Sequence, residues 1–187
     1  MGSNGLLLHV MMFWSDLAKI PIPESFDHAV PGELVYSGAL GLTDSVEGSP
    51  VNAGKLVLSP TRTYAPIVKK ILGKYNAEDI HGMVHCSGGA QTKILHFVEG
   101  LHIIKDNMFE VPVLFKMIQE QSKTPWREMY EVFNCGHRLE LYVNPAIAED
   151  LIAISASFGV AAQIIGRVTD SEIKKLTIES SYGTFEY

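Results

Sequence analysis

An α+β fold of the layered α/β kind, with a mixed, largely antiparallel sheet and flanking helices, is predicted by three features of the sequence. From residue 55 onward, strand-like and helix-like segments alternate. Arg138–Val143 (RLELYV) alternates side chains with the period of a strand. Ile80–Cys86 (IHGMVHC) reads as a strand and runs through Ser87-Gly88-Gly89-Ala90 straight into a helical pattern. The 187 residues, 47% hydrophobic and 19% charged, are enough to bury a sizeable core and lie far from the composition of disordered chains.

Residues 6–19 (LLLHVMMFWSDLAK) lack strand alternation and read as a helix capped by Ser3 or Asn4. Proline and glycine then punctuate residues 20–54, which read as loop with little regular structure. Lys55–Ser59 is expected as a short strand, and Tyr64–Tyr75 as an amphipathic helix with Ile67, Ile71 and Leu72 on one side. Beyond the Ile80–Cys86 strand, Gln91–Val98 is expected as a helix and His102–Lys105 as a strand. Helices follow at Val113–Gln121, opened by Pro112, and at Trp126–Phe133. After the Arg138–Val143 strand, Pro145–Phe158 fits a helix with proline in its first turn and Gly159 as its C-cap. Ala162–Val168 and Leu176–Ser180 close the domain as strands. The expected organisation is thus an opening helix and long Pro/Gly-rich loop over 1–54, packed on an α/β/α core over 55–187.

Composition narrows the partners. A net charge of −6 argues against nucleic acid, which draws on clustered Lys and Arg. The apolar stretch Leu6–Trp14 has no basic start or cleavage site and is too short to span a bilayer, so no membrane partner is expected. Cys86 and Cys135 form no disulfide framework and no CxxC pair, and free thiols suit a cytoplasmic location.

Chemistry is most legible in His85-Cys86-Ser87-Gly88-Gly89-Ala90-Gln91-Thr92. Here a strand ends, small residues turn the backbone, and glycines let an anion approach N–H groups unobstructed. The same residues also describe an ordinary strand-to-helix turn. His81 and His85 stand four apart but in a strand-like segment without a third ligand, so no metal site is expected. Phe133-Asn134-Cys135-Gly136-His137 offers an amide and a sharp turn, and Cys135 lacks an evident activating base. The scattered Asp16, Asp44, Glu47 and Asp106 make no Mg²⁺-nucleotide cluster, and no Walker motif occurs. No catalytic residue is identified from these patterns.

Four segments in order resemble one family: Ser3-Asn4-Gly5, Ser59-Pro60-Thr61-Arg62-Thr63-Tyr64, His85-Cys86-Ser87-Gly88-Gly89 and Phe133-Asn134-Cys135-Gly136. Val111-Pro112 and Leu114–Gln119 agree as well. The family is aminoimidazole ribonucleotide synthetase, or phosphoribosylformylglycinamidine cyclo-ligase, and the similarity is to its C-terminal domain. That resemblance implies a layered domain with partly ferredoxin-like topology, an absent N-terminal ATP-binding domain, and a cytoplasmic homodimer or a partner chain. It implies ATP and Mg²⁺ as cofactors, held mainly by the N-terminal domain, and a small ribonucleotide as substrate. The implied reaction is ATP-dependent ring closure of formylglycinamidine ribonucleotide.

By the same resemblance, Ser87, Gly88 and Gly89 would contact a phosphate. Ser3 and Asn4 would line the cleft, Asn134 and Gly136 would shape its edge, and Arg62 would supply charge. The apolar run Leu6–Met12 departs from the polar and basic continuation of the family, which points to self-association or pairing with a missing half. The alternatives are a non-catalytic phosphate- or nucleotide-binding module, or another member of the same ATP-dependent superfamily, such as a selenophosphate synthetase or thiamine-phosphate kinase relative.

Overall fold

The computed structural model describes residues 29, 31, 38–59 and 62–187. The helix expected over 6–19, with Ser3 and Asn4, lies outside the described residues. The chain falls into two compact units. One takes its described residues from Met1–Thr61 and Val111–Met129, and the other comprises Arg62–Glu110 and Tyr130–Tyr187.

In the first unit, residues 41–52 are loop and turn, as their glycines and prolines suggest. Ala53–Val57 is a short helix (α1), which corrects the strand expected at Lys55–Ser59. The signal that decides it is Asn52, whose Oδ1 accepts the Lys55 N–H at 3.0 Å and caps the helix. The Gly54 N–H also donates to the Leu42 carbonyl at 2.8 Å. Helix α2 of this unit, Val113–Ser122, starts after Pro112, buries Leu114 and Ile118, and ends at Lys123 in the left-handed region.

The second unit carries the sheets. Helix α3, Ala65–Leu72, buries Ile67 and Ile71. Leu72, expected on the same side, is 57% exposed because it falls one position past the buried stripe. Strand β1, Ile80–His85, pairs antiparallel with β2, Leu139–Val143, and the register shifts between Ile80 and Gly82. Helix α4, Trp126–Val132, brings the chain from the first unit into the second. Asn144 caps a 3₁₀ turn over Pro145–Ile147 before helix α5, Ala148–Ala156, so the helix expected from Pro145 is split. Beyond α5, the Gly159 N–H bonds the Ala156 carbonyl and the Val160 N–H bonds that of Ser155. Those two bonds form a Schellman closure, with Gly159 at φ +67°.

Ile67, Ile71, Leu151 and Ile154 form the core between α3 and α5, and Ile80, Met83, Leu141 and Val143 pack against it from the β1–β2 pair. Side chains alternate across a strand, so Glu140, between Leu139 and Leu141, faces the other way. A second, four-stranded sheet contains β3, Leu101–Lys105; β4, Gly166–Asp170; β5, Lys175–Ser180; and β6, Gly183–Glu186, in the order β4-β3-β5-β6. Only β3 and β5 run parallel there. The expected mixed, largely antiparallel arrangement is therefore present, divided between two hydrogen-bonded sheets.

The strand expected from Ala162 begins at Gly166 instead. The preceding residues are bonded elsewhere: Asn107 donates to the Ile164 carbonyl, and Gln163 donates back to that of Asn107, both at 2.7 Å. Strand β6 was not anticipated, because its glycine and short length hide the alternation.

Two glycines separate conformational strain from steric exclusion. A Cβ at Gly166 would stand 1.8 Å from the Ile104 carbonyl oxygen, whereas one at Gly159 would meet nothing within 4 Å. Gly159→Ala is expected to cost about 1 kcal/mol, from the left-handed backbone alone. Gly166→Ala should cost about 3 kcal/mol or more, because β4 must move off β3. Thermal and urea unfolding of the two variants checks that order.

Candidate functional site

Antiparallel pairing places the end of β1 beside the start of β2, with His85 opposite Leu139. The turn that follows β1 and the turn that precedes β2 therefore lie at the same end of the strand pair. The Cys86 N–H extends the ladder by donating to the Arg138 carbonyl at 2.8 Å. Two sequence segments some forty residues apart are thus brought together by strand pairing.

The first turn runs from Ser87 to Ala90. Gly89 has φ +79° and Ala90 φ +40°, so glycine is needed at 89 for conformation, while a Cβ at Gly88 would meet open space. Among the described residues, the N–H groups of Gly88 and Gly89 have no hydrogen-bond acceptor. The following helix, Ala90–His96, is 3₁₀ in type rather than the α-helix suggested by the pattern. Its Lys93 folds back over the turn, with Nζ donating to Ser87 Oγ at 2.7 Å and to the His85 carbonyl at 3.1 Å. A cation, a hydroxyl and two unused N–H donors on an exposed turn can hold an anion.

The second turn is Asn134–His137. Cys135 and Gly136 both have positive φ, 47° and 99°. Asn134 Oδ1 accepts the Gly136 N–H at 3.1 Å, so the amide organises its own turn. Gln91, wholly buried, joins the two turns: its Nε2 donates to the Asn134 carbonyl at 2.7 Å and to that of His137 at 3.5 Å.

Behind the turns lies a buried polar network. Lys105, at the end of β3, donates to Glu140 Oε1 (2.6 Å), to the Gln91 carbonyl (2.9 Å) and to Gln91 Oε1 (3.0 Å). The side chains of Lys105 and Glu140 are 1% and 4% exposed. Tyr142 donates to the other Glu140 oxygen at 2.8 Å, and burial, then Glu140, pushes its phenol pKa up. Within this network the Lys105 ammonium and both Glu140 oxygens have partners, as a buried ion pair requires. A cavity of about 950 Å³ opens beside it, with Gly136, His137, Arg138, Glu140 and Tyr142 in its wall.

Of the residues expected at the site, Ser87, Gly88, Gly89, Asn134 and Gly136 come together. Arg62 instead donates to the Gly159 carbonyl at 3.1 Å, just beyond α5. Ser3 and Asn4 lie outside the described residues. Lys93, Lys105 and Glu140 were not singled out by sequence reasoning, and Gln91 appeared only as part of the His85–Thr92 segment. The available signal was parity: Lys105 shares the buried face of Ile103, and Glu140 alternates with leucines.

His81 and His85 are exposed on β1. Among the described residues, no group of three or more His, Cys, Asp or Glu could hold a metal ion. Burial pushes both thiols, Cys86 and Cys135, up to about 12, so neither is an ionised nucleophile at neutral pH.

These features define a layered α/β domain that presents two glycine-containing turns side by side. Residues 36–179 match the family described as AIR synthase related protein, C-terminal domain, and the chain belongs to that family. It is 32% identical over 152 residues to the phosphoribosylformylglycinamidine cyclo-ligase of Methanobrevibacter smithii, covering 81% of this chain and 43% of that protein. The enzyme of the same name from Methanocaldococcus jannaschii is 31% identical over 171 residues, covering 90% of this chain and 42% of the relative. The chain thus spans about two fifths of the length of these curated relatives. Among solved structures, it is similar to E. coli HypE, a hydrogenase maturation protein, with a TM-score of 0.47 and 18% identity, covering 66% of this chain and 37% of that one. Among the described residues, no helix is long and apolar enough to cross a membrane.

His137 ties the second turn to pH. Its Nε2 accepts the Phe109 N–H at 2.8 Å, and burial holds its pKa down to about 4 from an ordinary 6.5. The native state thus keeps the ring neutral where the unfolded chain takes up a proton. The associated stability is present above pH 6.5 and is lost as pH falls towards 4, by about 3 kcal/mol in all. Urea unfolding between pH 7 and 4 should show that slope, and His137→Gln should flatten it.

Proposed function

We propose that this chain is the C-terminal-domain side of an ATP-dependent cyclo-ligase. The reaction closes the imidazole ring of formylglycinamidine ribonucleotide to give aminoimidazole ribonucleotide, ADP and phosphate. Family membership and the names of the relatives support this, and the observation that carries it is the meeting of the two family-matching turns at one end of the β1–β2 pair.

In this proposal Ser87, Gly88 and Gly89 bind a phosphate group through the Ser87 hydroxyl and the two glycine N–H donors, and Lys93 neutralises its charge. Asn134 and Gly136 shape the adjoining edge. Ser3 and Asn4 line the cleft, and Arg62 adds positive charge at its margin. ATP, held with Mg²⁺ mainly by an N-terminal domain, supplies the phosphoryl group that turns the formyl amide oxygen into a leaving group. The residues of this chain position the substrate for attack by its own ring-closing nitrogen, so orientation and charge neutralisation are their contribution. The proposal includes an opening region over 1–54 packed on a core over 55–187, an ATP-binding domain as partner, a homodimer and a cytoplasmic setting.

Calorimetric titration of the chain with formylglycinamidine ribonucleotide, and separately with ATP and Mg²⁺, tests the assignment. Ribonucleotide binding without ATP binding is expected, with turnover on addition of the ATP-binding domain. Gly89→Asp and Lys93→Ala should each weaken ribonucleotide binding on the order of tenfold, the effect of one charge-assisted contact. A chain that binds no ribonucleotide and yields no turnover with its partner domain would refute the proposal.

A further inference from the structure

We infer that Lys105, Gln91 and Glu140 form a positioning clasp, which holds the Ser87–Ala90 and Asn134–His137 turns at one fixed separation. The inference rests on the reading of those turns as the ribonucleotide site, and it adds residues that never touch the ligand.

The reason lies in the chemistry of an amide. A primary amide presents an acceptor and a donor on opposite atoms, and its orientation follows from whatever claims each of them. Lys105 Nζ claims Gln91 Oε1 at 3.0 Å and the Gln91 carbonyl at 2.9 Å. An ammonium group has no acceptor capacity, so the Gln91 amide cannot turn its NH₂ towards Lys105. Its Nε2 is thereby directed at the Asn134 and His137 carbonyls. Lys105 is fixed in turn by Glu140, whose second oxygen is occupied by Tyr142.

The chain of bonds starts in β2, passes through the end of β3 and ends on the backbone of the second turn, while Gln91 itself belongs to the segment leaving the first. Lys105 has all three donors engaged and is 1% exposed, so it is a positioning residue and not a ligand contact.

Two variants of the full chain separate positioning from bulk stability. Gln91→Leu leaves the Lys105–Glu140 pair in place but cuts the tie between the turns. Lys105→Met combined with Glu140→Gln removes the charge pair without leaving a buried orphan charge. Each is expected to fold, to bind formylglycinamidine ribonucleotide on the order of tenfold more weakly, and to speed amide hydrogen exchange at both turns. Exchange in β5, Leu176–Ile178, should stay unchanged, and combining all three substitutions should weaken binding no further, because they act through one linkage. A purely structural role would give additive losses and faster exchange throughout.

Unchanged affinity in Gln91→Leu, with binding weakened on the order of tenfold by Gly89→Asp, would overturn the clasp and leave the functional proposal standing. If the unsubstituted chain binds no ribonucleotide and yields no turnover with its partner domain, the functional proposal fails, and exchange alone decides: slow exchange retained at either turn in Gln91→Leu overturns the clasp. Should the double variant not fold, Gln91→Leu provides the same two readouts.

Discussion

A charge taken out of water must be met by an opposite charge and by hydrogen bonds, or the fold that buries it is lost. Lys105 and Glu140 meet that condition at 2.6 Å, with Gln91 and Tyr142 filling the remaining positions. The pair joins two sheets that share no strand ladder, since β3 belongs to the four-stranded sheet and β2 to the two-stranded one. Leaving either charge unpaired in such a place typically costs about 3–5 kcal/mol, so the geometry of both sheets is constrained by one contact. Apolar packing could hold the sheets together, but it would not select one register so sharply, because dispersion contacts are weak individually and non-directional.

The site inherits its arrangement from this constraint. Strand pairing brings the two turns to one end of the β1–β2 pair, and Gln91 sets their separation. The exposed turn keeps polar groups available, whereas the network behind it uses up every partner it has. That division fits the proposed role of positioning a substrate: the groups proposed to meet the ligand are accessible, and those that hold them are buried and saturated. The two cysteines sit among the same turns as protonated, buried thiols and add packing, not nucleophilic chemistry.

Much of the fold was legible because short-range physics determines it. The alternation of Arg138–Val143, the stripe of Ile67 and Ile71, and the glycine after α5 each report a local preference that the tertiary structure keeps. The misreadings have local physical reasons as well. Lys55–Ser59 resembles a strand in composition, but the Asn52 cap commits the segment to helix. Ala162–Ile165 looks extended, yet side-chain bonds with Asn107 keep it out of the ladder.

By itself, the sequence determined the class of fold, the positions of the two turns and their likeness to one family, because turn chemistry and periodicity are written in neighbouring residues. Only the tertiary structure decided that Ser87–Gly89 and Asn134–Gly136 share one end of a strand pair, that Lys93 folds back on its own turn, and that Lys105 is paired with Glu140. Those pairings join residues far apart in the sequence and depend on which strands meet. A lysine and a glutamate in half-apolar segments look like ordinary surface charges until the desolvation of both, and the single partner that relieves it, fixes them in place.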